Sequence, residues 1–455
     1  MNAWLLAALT GLGAAVIGGG LSLLPSRRLK SSHLIGGTVA TFVLVFILNL
    51  MFFIWALPVF NGASWIGWVA LDLIIVAVVF GALTIDSQRF SLAAMVSVGL
   101  LLALILPLGW NNWFTGQGDA DALAGLLDVT MVGADPNGSD VYPPTDEQRM
   151  VVVGEQNARL TAGSVLSQDN IGTQFNLGTG DLQSVDGRMY HVFDLTFKTF
   201  QASNAANGIV PGYVMVDAEN PSAPPRLQRT PFDAAPDAPF FQIKYQLGGF
   251  FGSYLERYVY DRYRFQFVDD LSFEIDDEGN PYYTAALTEP AVRWFQAKPV
   301  KTIVVNAQTG EITEYEIGQA PPWVDRSFSA KTATELLNWW GLYAQEPYQP
   351  FYQTPGNRFR VNGELNLVYT DRGPAWQALM SSVNSDVAVQ YIALMDTNTL
   401  KVRIYRAPAG LLVENRVVEA FQANPNDPRR LDPTDLSLHQ IYRRLTWVAS
   451  MVPDG

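Results

Sequence analysis

Cysteine is missing from all 455 residues, which removes disulfides, iron–sulfur clusters, thiolate zinc sites and cysteine nucleophiles together. Histidine is nearly as scarce. His33, His191 and His439 are scattered, and no His-Glu-x-x-His pair offers a zinc site. A Gly-x-Ser-x-Gly elbow and a Gly-rich loop ending in Lys-Ser/Thr are both lacking, so hydrolase and nucleotidase readings lose their usual anchors. Charged residues make up only 16% of the chain against 49% hydrophobic, and the net charge is −13. An acidic surface repels phosphate backbones, which sets nucleic-acid binding aside.

The apolar excess lies at one end. Residues 1–109 hold four basic residues (Arg27, Arg28, Lys30, Arg89) and two acidic ones (Asp72, Asp86), leaving 26 basic against 41 acidic in residues 110–455. Four runs free of basic residues, Ala3–Leu24, Leu34–Phe60, Ser64–Ile85 and Ser91–Gly109, each approach or exceed the roughly 20 residues that a helix needs to cross a bilayer. They predict a four-helix transmembrane domain over residues 1–110. Because no positive charge precedes the first run and three follow it, it reads as a retained helix rather than a cleaved signal. Both basic loops fall on one side, which places the N-terminus and residues 110–455 outside the cytoplasmic membrane. Trp4, Trp65, Trp68, Trp110 and Trp113 fall at or near the outward ends.

Two features of this block are candidate sites. Gly11, Ala15 and Gly19 recur every four residues, a spacing that lets helix backbones approach within the bundle or between two copies. Asp72 is the one ionisable residue well inside a run, and Asn49 is its expected polar neighbour. The pair reads as a structural contact between helices or, alternatively, as the centre of a transport or enzyme component.

Residues 111–150 read as a Gly-, Asp- and Pro-rich linker carrying one apolar patch at Ala122–Val132. Beyond it, two landmarks recur with a period near 90. A turn signal before a strand-like stretch appears at Asp186–Gly187, Asp277–Gly279 and Asp371–Gly373. A second strand-like run ends in Asp217, Asn306 and Asp396. The Asp or Asn sits where a hairpin reverses, its side chain able to bond the backbone two residues on. Amphipathic helices are expected ahead of each strand set, near Gln156–Ser167, Ser253–Tyr263 and Ala330–Leu342. The pattern predicts three tandem helix-on-antiparallel-sheet modules, at 151–245, 246–325 and 326–455. Two further helices are expected at Leu411–Ala423 and Leu436–Met451.

The middle unit, with Asp277-Glu278-Gly279 before a strand and Thr302-Ile303-Val304-Val305-Asn306-Ala307-Gln308-Thr309-Gly310-Glu311-Ile312 as a hairpin, resembles the PepSY domain of peptidase propeptides and bacterial membrane-associated proteins. The flanking units depart from it, with Ala218-Glu219-Asn220-Pro221 and Thr397-Asn398-Thr399-Leu400 in place of the Thr-Gly pair. The resemblance implies a small module that binds or inhibits partner proteins outside the cytoplasm, with no catalytic residues to carry over.

The remaining candidates are weighed by chemistry. Glu274, Asp276 and Glu278 ahead of Gly279 mimic the start of a calcium loop, but Ala285 stands where the bidentate carboxylate belongs. With Asp269, Asp270 and Asp277 they read as the solvated rim of a turn. His191, alternating within a predicted strand, reads as structural. Trp339, Trp340, Tyr348, Phe351 and Tyr352, around a Pro-rich stretch, are candidates for a protein interface. The function expected from these residues is a non-enzymatic multipass membrane protein that needs no cofactor or metal. It presents its modules for protein binding or complex assembly, with membrane lipids, an extracytoplasmic or membrane protein, or a second copy as partners.

Overall fold

The computed structural model describes residues 117–132, 142–144, 150–168, 171–292, 296–344, 358–384, 388–422, 431–442 and 444–453, with positions 11–13, 39, 42–51, 72, 74 and 99 of the N-terminal block. By contacts the chain divides into two compact units, one of residues 1–116, 259–267 and 290–297, the other of residues 117–258, 268–289 and 298–455.

The expected four-helix transmembrane bundle is overturned by the helices themselves. Among the described residues no helix is long and apolar enough to cross a membrane. Apolar runs of suitable length and the side on which basic residues fall are necessary signs of a span, not sufficient ones. The multipass reading and the localisation in the cytoplasmic membrane fall with the bundle. The Trp belt, His33, and much of the four runs lie outside the described residues.

Three sheets, antiparallel apart from one parallel strand pair, each follow a helix. The first helices and strands are α1 (Gln117–Ala124), β1 (Asp128–Val132) and α2 (Glu155–Gln168). Helix α2 buries Ala158, Ala162, Val165 and Leu166, the i, i+4, i+7, i+8 stripe of a helix lying on a sheet. Its sheet is the meander β2 (Phe175–Val185), β3 (Arg188–Phe197), β4 (Tyr213–Asp217) and β5 (Arg226–Gln228), in that spatial order. A short helix α3 (Phe200–Ala205), capped by Thr199, joins β3 to β4.

The second sheet follows α4 (Leu255–Tyr263). Its strands are β6 (Phe267–Val268), β7 (Ser272–Ile275), β8 (Pro281–Val292), β9 (Gln296–Asn306) and β10 (Ile312–Glu316), in the order β10-β9-β8-β6 with β7 also paired to β8. The third follows α5 (Ala330–Tyr343), whose N-terminus is capped by Ser329. It contains β11 (Phe359–Val361), β12 (Asn366–Thr370), β13 (Gly373–Ser382), β14 (Tyr391–Asp396) and β15 (Lys401–Arg406). The segment expected to be a linker contributes β1, which pairs in parallel with β15.

The third sheet is covered on both faces, and its strands show it residue by residue. Trp376, Ala378 and Met380 of β13 face a core with Ala333, Leu336, Leu337 and Trp340 of α5. Ala375 and Leu379 face the opposite core, with Tyr142, Val413 and Leu438. Period-2 alternation of two apolar faces explains why β13 reads as an almost continuous apolar run.

The repeated landmarks share one geometry. Gly187, Gly279 and Gly373 have φ of 72°, 83° and 109°, which a β-carbon would resist. Oδ1 of Asp217 accepts from the backbone N–H groups of Glu219 and Asn220. Oδ1 of Asn306 accepts likewise from Gln308 and Thr309, and Oδ1 of Asp396 from Asn398 and Thr399. All three hairpins therefore reverse on the same side-chain mimic of a backbone turn.

After α6 (Glu414–Gln422), the chain forms a hairpin of β16 (Leu431–Ile441) and β17 (Arg444–Pro453), where a helix over Leu436–Met451 was expected. Leu438, Ile441, Leu445 and Val448 suit a helical stripe, but Leu436, Leu438 and Gln440 are the buried set, at period 2. Tyr442 is 82% exposed at the turn with φ 47°. Thr434, Thr446, Trp447 and Val448 favour the extended chain.

Gly180 tests the packing of the first sheet. It lies at a register shift opposite Phe193, and a β-carbon there would come within 2.2 Å of the fully buried Phe193 ring. Gly180→Ala should lower stability by about 1–3 kcal/mol through overpacking. A urea denaturation midpoint equal to the parent's would contradict this packing.

Candidate functional site

Four segments distant in sequence converge on one buried carboxylate. The alternation Phe273–Glu274–Ile275 in β7 puts Glu274 on the face opposite its neighbours, and that face is fully enclosed, leaving Glu274 0% exposed. Its oxygens accept from the Thr284 hydroxyl at 3.1 Å and from the backbone N–H groups of Asp325 at 2.9 Å and Arg326 at 3.2 Å. The Arg326 guanidinium lies 2.5 Å from Asp181 of β2 and 4.0 Å from Glu274.

Asp325 extends the node in both directions. Its carboxylate accepts from the backbone N–H of Ser184 at 2.7 Å and from the Tyr369 hydroxyl of β12. Its carbonyl accepts from the Thr397 hydroxyl at 2.6 Å. All three sheets are thus tied at Glu274, Asp325 and Arg326. Burial pushes both acids above the usual carboxylate range, Asp325 raises Glu274 further, and Arg326 pulls both back. The carboxylates raise Arg326, which stays charged.

Two glutamines serve the same end. The Gln183 amide donates to the Phe273 carbonyl at 2.6 Å and accepts from the Ile275 N–H at 3.0 Å, so β2 pairs with β7 through a side chain. The Gln377 amide of β13 does so with Leu438 of β16, donating at 2.8 Å and accepting at 3.2 Å, and also donates to the Tyr142 hydroxyl.

Beside this node opens a cavity of about 850 Å3, in the range of small-molecule and peptide sites. Asp181, Asp325 and Arg326 reach it from the node, and Glu155, Asp371 and Asp435 line it from other elements. Residues 364–371, the whole of β12 with its flanks, form one wall. His191 forms part of another wall and is 4% exposed. Its Nε2 lies 2.7 Å from the Val153 carbonyl, which can only accept, so Nε2 carries the proton. Burial pushes the His191 pKa down and keeps the ring neutral, leaving Nδ1 as a buried acceptor with no protein partner.

The residues singled out in the sequence are placed differently. The acidic cluster disperses: Glu274 goes to the node, Asp269 holds the Ser329 N–H and hydroxyl at the start of α5, and Asp276 bonds the backbone of Glu278 and Asn280. Among the described residues no group of three His, Asp or Glu could hold a metal ion. Trp340 is buried in the α5 core and Trp339 packs against it, while Tyr348, Phe351 and Tyr352 lie outside the described residues. In the smaller unit, the Asn49 amide donates to Asp72 Oδ1 at 3.0 Å. A β-carbon on Gly11 would lie 3.2 Å from the Phe42 carbonyl, so two helical segments approach closely there, and Ala15 and Gly19 lie outside the described residues.

The node and the cavity were not visible in the sequence. Arg326, Asp181, Gln183, Gln377 and the β12 edge carry no motif, and the one signal available for Glu274 is its period-2 position between the buried Phe273 and Ile275. Comparison with protein-family models, with curated proteins and with solved structures found no match to this chain.

Two predictions follow from these buried acids. Glu274→Ala leaves the N–H groups of Asp325 and Arg326 without their acceptor, and should cost about 2–4 kcal/mol in chemical denaturation. A loss below about 1 kcal/mol would mean that the node does not hold the sheets. Asp194 of β3, 2% exposed and bonded by the Tyr283 hydroxyl at 3.1 Å, is pushed by burial up to about 7. An acid raised in the folded state adds stability at low pH that is lost as pH rises, here between about 4 and 7, by up to about 1.4 kcal/mol per pH unit. Asp194→Asn should flatten the fall of unfolding free energy across that window, and an unchanged slope would contradict it.

Proposed function

We propose that this chain is a non-enzymatic binding protein whose α+β modules hold a cleft for an extended segment of a partner protein. The observation that carries the reading is the position of β12. It pairs with β13 along one edge, and no strand among the described residues pairs with the other, while residues 364–371 wall the 850 Å3 cavity. A strand edge that opens into a cleft offers N–H and C=O groups to an incoming extended peptide, the mode in which main-chain bonds supply affinity and side-chain pockets supply selectivity.

The groups around the cleft fit binding better than turnover. The Asp325 carboxylate is engaged by the Ser184 N–H, the Arg326 guanidinium by Asp181 and Glu274, and the His191 proton by Val153. The PepSY-like pattern of the middle unit agrees with a protein-binding role, as do three modules braced into one support. Rigid strands around the cleft would hold it open before a ligand arrives, which limits the ordering cost of binding.

The test is a random octapeptide library panned against the full chain and against Leu367→Pro, which removes an N–H that β12 directs away from β13. Enrichment of a shared peptide pattern by the parent chain, lost or weakened at least tenfold in the variant, is expected. No enriched pattern, or one that Leu367→Pro leaves unchanged while circular dichroism shows both proteins folded, would overturn the reading.

A further inference from the structure

We infer that the segment taken by this cleft is basic, an extended peptide whose Lys or Arg side chains project from the strand beside β12 into the acidic wall around His191. The inference rests on the protein-binding reading above and names the chemistry of its ligand.

Three observations combine. The first is charge. Glu155, Asp181, Asp186, Asp277, Asp371 and Asp435 line the cavity, and among the described residues Arg326 is the single Lys or Arg lining it. Arg326 cannot balance them, because its charge is already shared between Asp181 and Glu274. The second is His191 Nδ1, a lone pair buried in the wall with no donor from the protein. Glu155, Asp435 and Asp181 all act electrostatically on that ring, so a donor arriving there meets three carboxylates as well. An N–H of a cation satisfies both demands at once, since an ammonium carries three donors and a guanidinium five. The third is spacing. No three of the described acidic and histidine side chains are close enough to share a metal ion, so the charge that fits is carried on a larger group with several donors.

The wall of β12 distinguishes a peptide from a free amine. A small polyamine would use the carboxylates and leave the strand edge unbonded. A peptide in the extended conformation repeats every two residues at about 6.6 Å, so alternate basic side chains can reach successive carboxylates while its backbone bonds β12. Exposed carboxylates at the mouth, Glu155, Asp371 and Asp435, would steer it in, with affinity falling as salt rises.

The experiment uses the full chain and a fluorescent octapeptide in which Lys and Arg alternate with Thr and Val. Fluorescence anisotropy should show saturable binding that weakens at least tenfold between low and physiological salt. The same peptide with Glu at the basic positions, or N-methylated on alternate amides, should bind at least tenfold more weakly. The triple variant Glu155→Gln, Asp371→Asn, Asp435→Asn, whose changed side chains are all exposed, should also lose at least tenfold. Absence of binding by the basic peptide, equal binding of the Glu peptide, or indifference to the triple variant would overturn the inference. Spermidine displacing the peptide at equal concentration, with N-methylation having no effect, would overturn it in favour of a small-amine site. A library that enriches neutral or acidic sequences in a β12-dependent way would leave the protein-binding reading standing and remove only the basic ligand, whereas a library that enriches nothing would remove both.

Discussion

The larger unit depends on a carboxylate shut away inside protein. Glu274 is fully enclosed, and an isolated buried carboxylate is among the most costly groups a fold can hold. Its three donors, from Thr284, Asp325 and Arg326, and the guanidinium nearby offset that cost only if the segments that carry them stay in place. Removing any partner leaves an unpaired polar group in a low-dielectric interior, so the cost of the buried acid becomes the penalty for separating the sheets. The apolar cores bury the bulk of the large side chains, and the node ties the three sheets to one another.

That arrangement also produces the cleft. Arg326 draws Asp181 of β2 inward, and Asp325 fixes Ser184 of the same strand and Tyr369 of β12. Two strands from different sheets are thereby set on either side of an open space rather than zipped together. The Gln183 and Gln377 amides use side chains where a continuous sheet would use backbone, and so join strands without extending a ladder. Among the described residues no second strand pairs with β12, and the carboxylates that line the cavity give it an acidic wall.

Local structure was largely legible in the residues, and long-range structure was not. Turn chemistry is local: Gly187, Gly279 and Gly373, with Asp217, Asn306 and Asp396, announce reversals wherever they stand, because each acts on backbone within a few residues. The stripe on Ala330–Tyr343 likewise needs only its own period. The C-terminal hairpin misled because Leu438, Ile441, Leu445 and Val448 recur at helical spacing, whereas the extended face that is buried, Leu436, Leu438 and Gln440, includes a polar residue and so shows no apolar period of two. The N-terminal runs misled in another way, since length and apolarity describe what a bilayer requires without distinguishing it from other apolar settings. Glu274 looked like part of a solvated rim because five acidic neighbours surround it in sequence. What buries it is a loop some fifty residues later, and no local signal encodes that meeting. Arg326 and Asp181 were silent for the same reason.

Hydrogen exchange on the native chain tests most directly whether this node holds the sheets together. The amides of Ser184, Asp325 and Arg326, which bond the node's carboxylates, should exchange only with global unfolding, at the same free energy and with the same denaturant dependence as the central strands β3 and β13. Exchange of those three amides by a separate, lower-energy opening while β3 and β13 stay protected would show that the sheets stand independently, and would contradict the account.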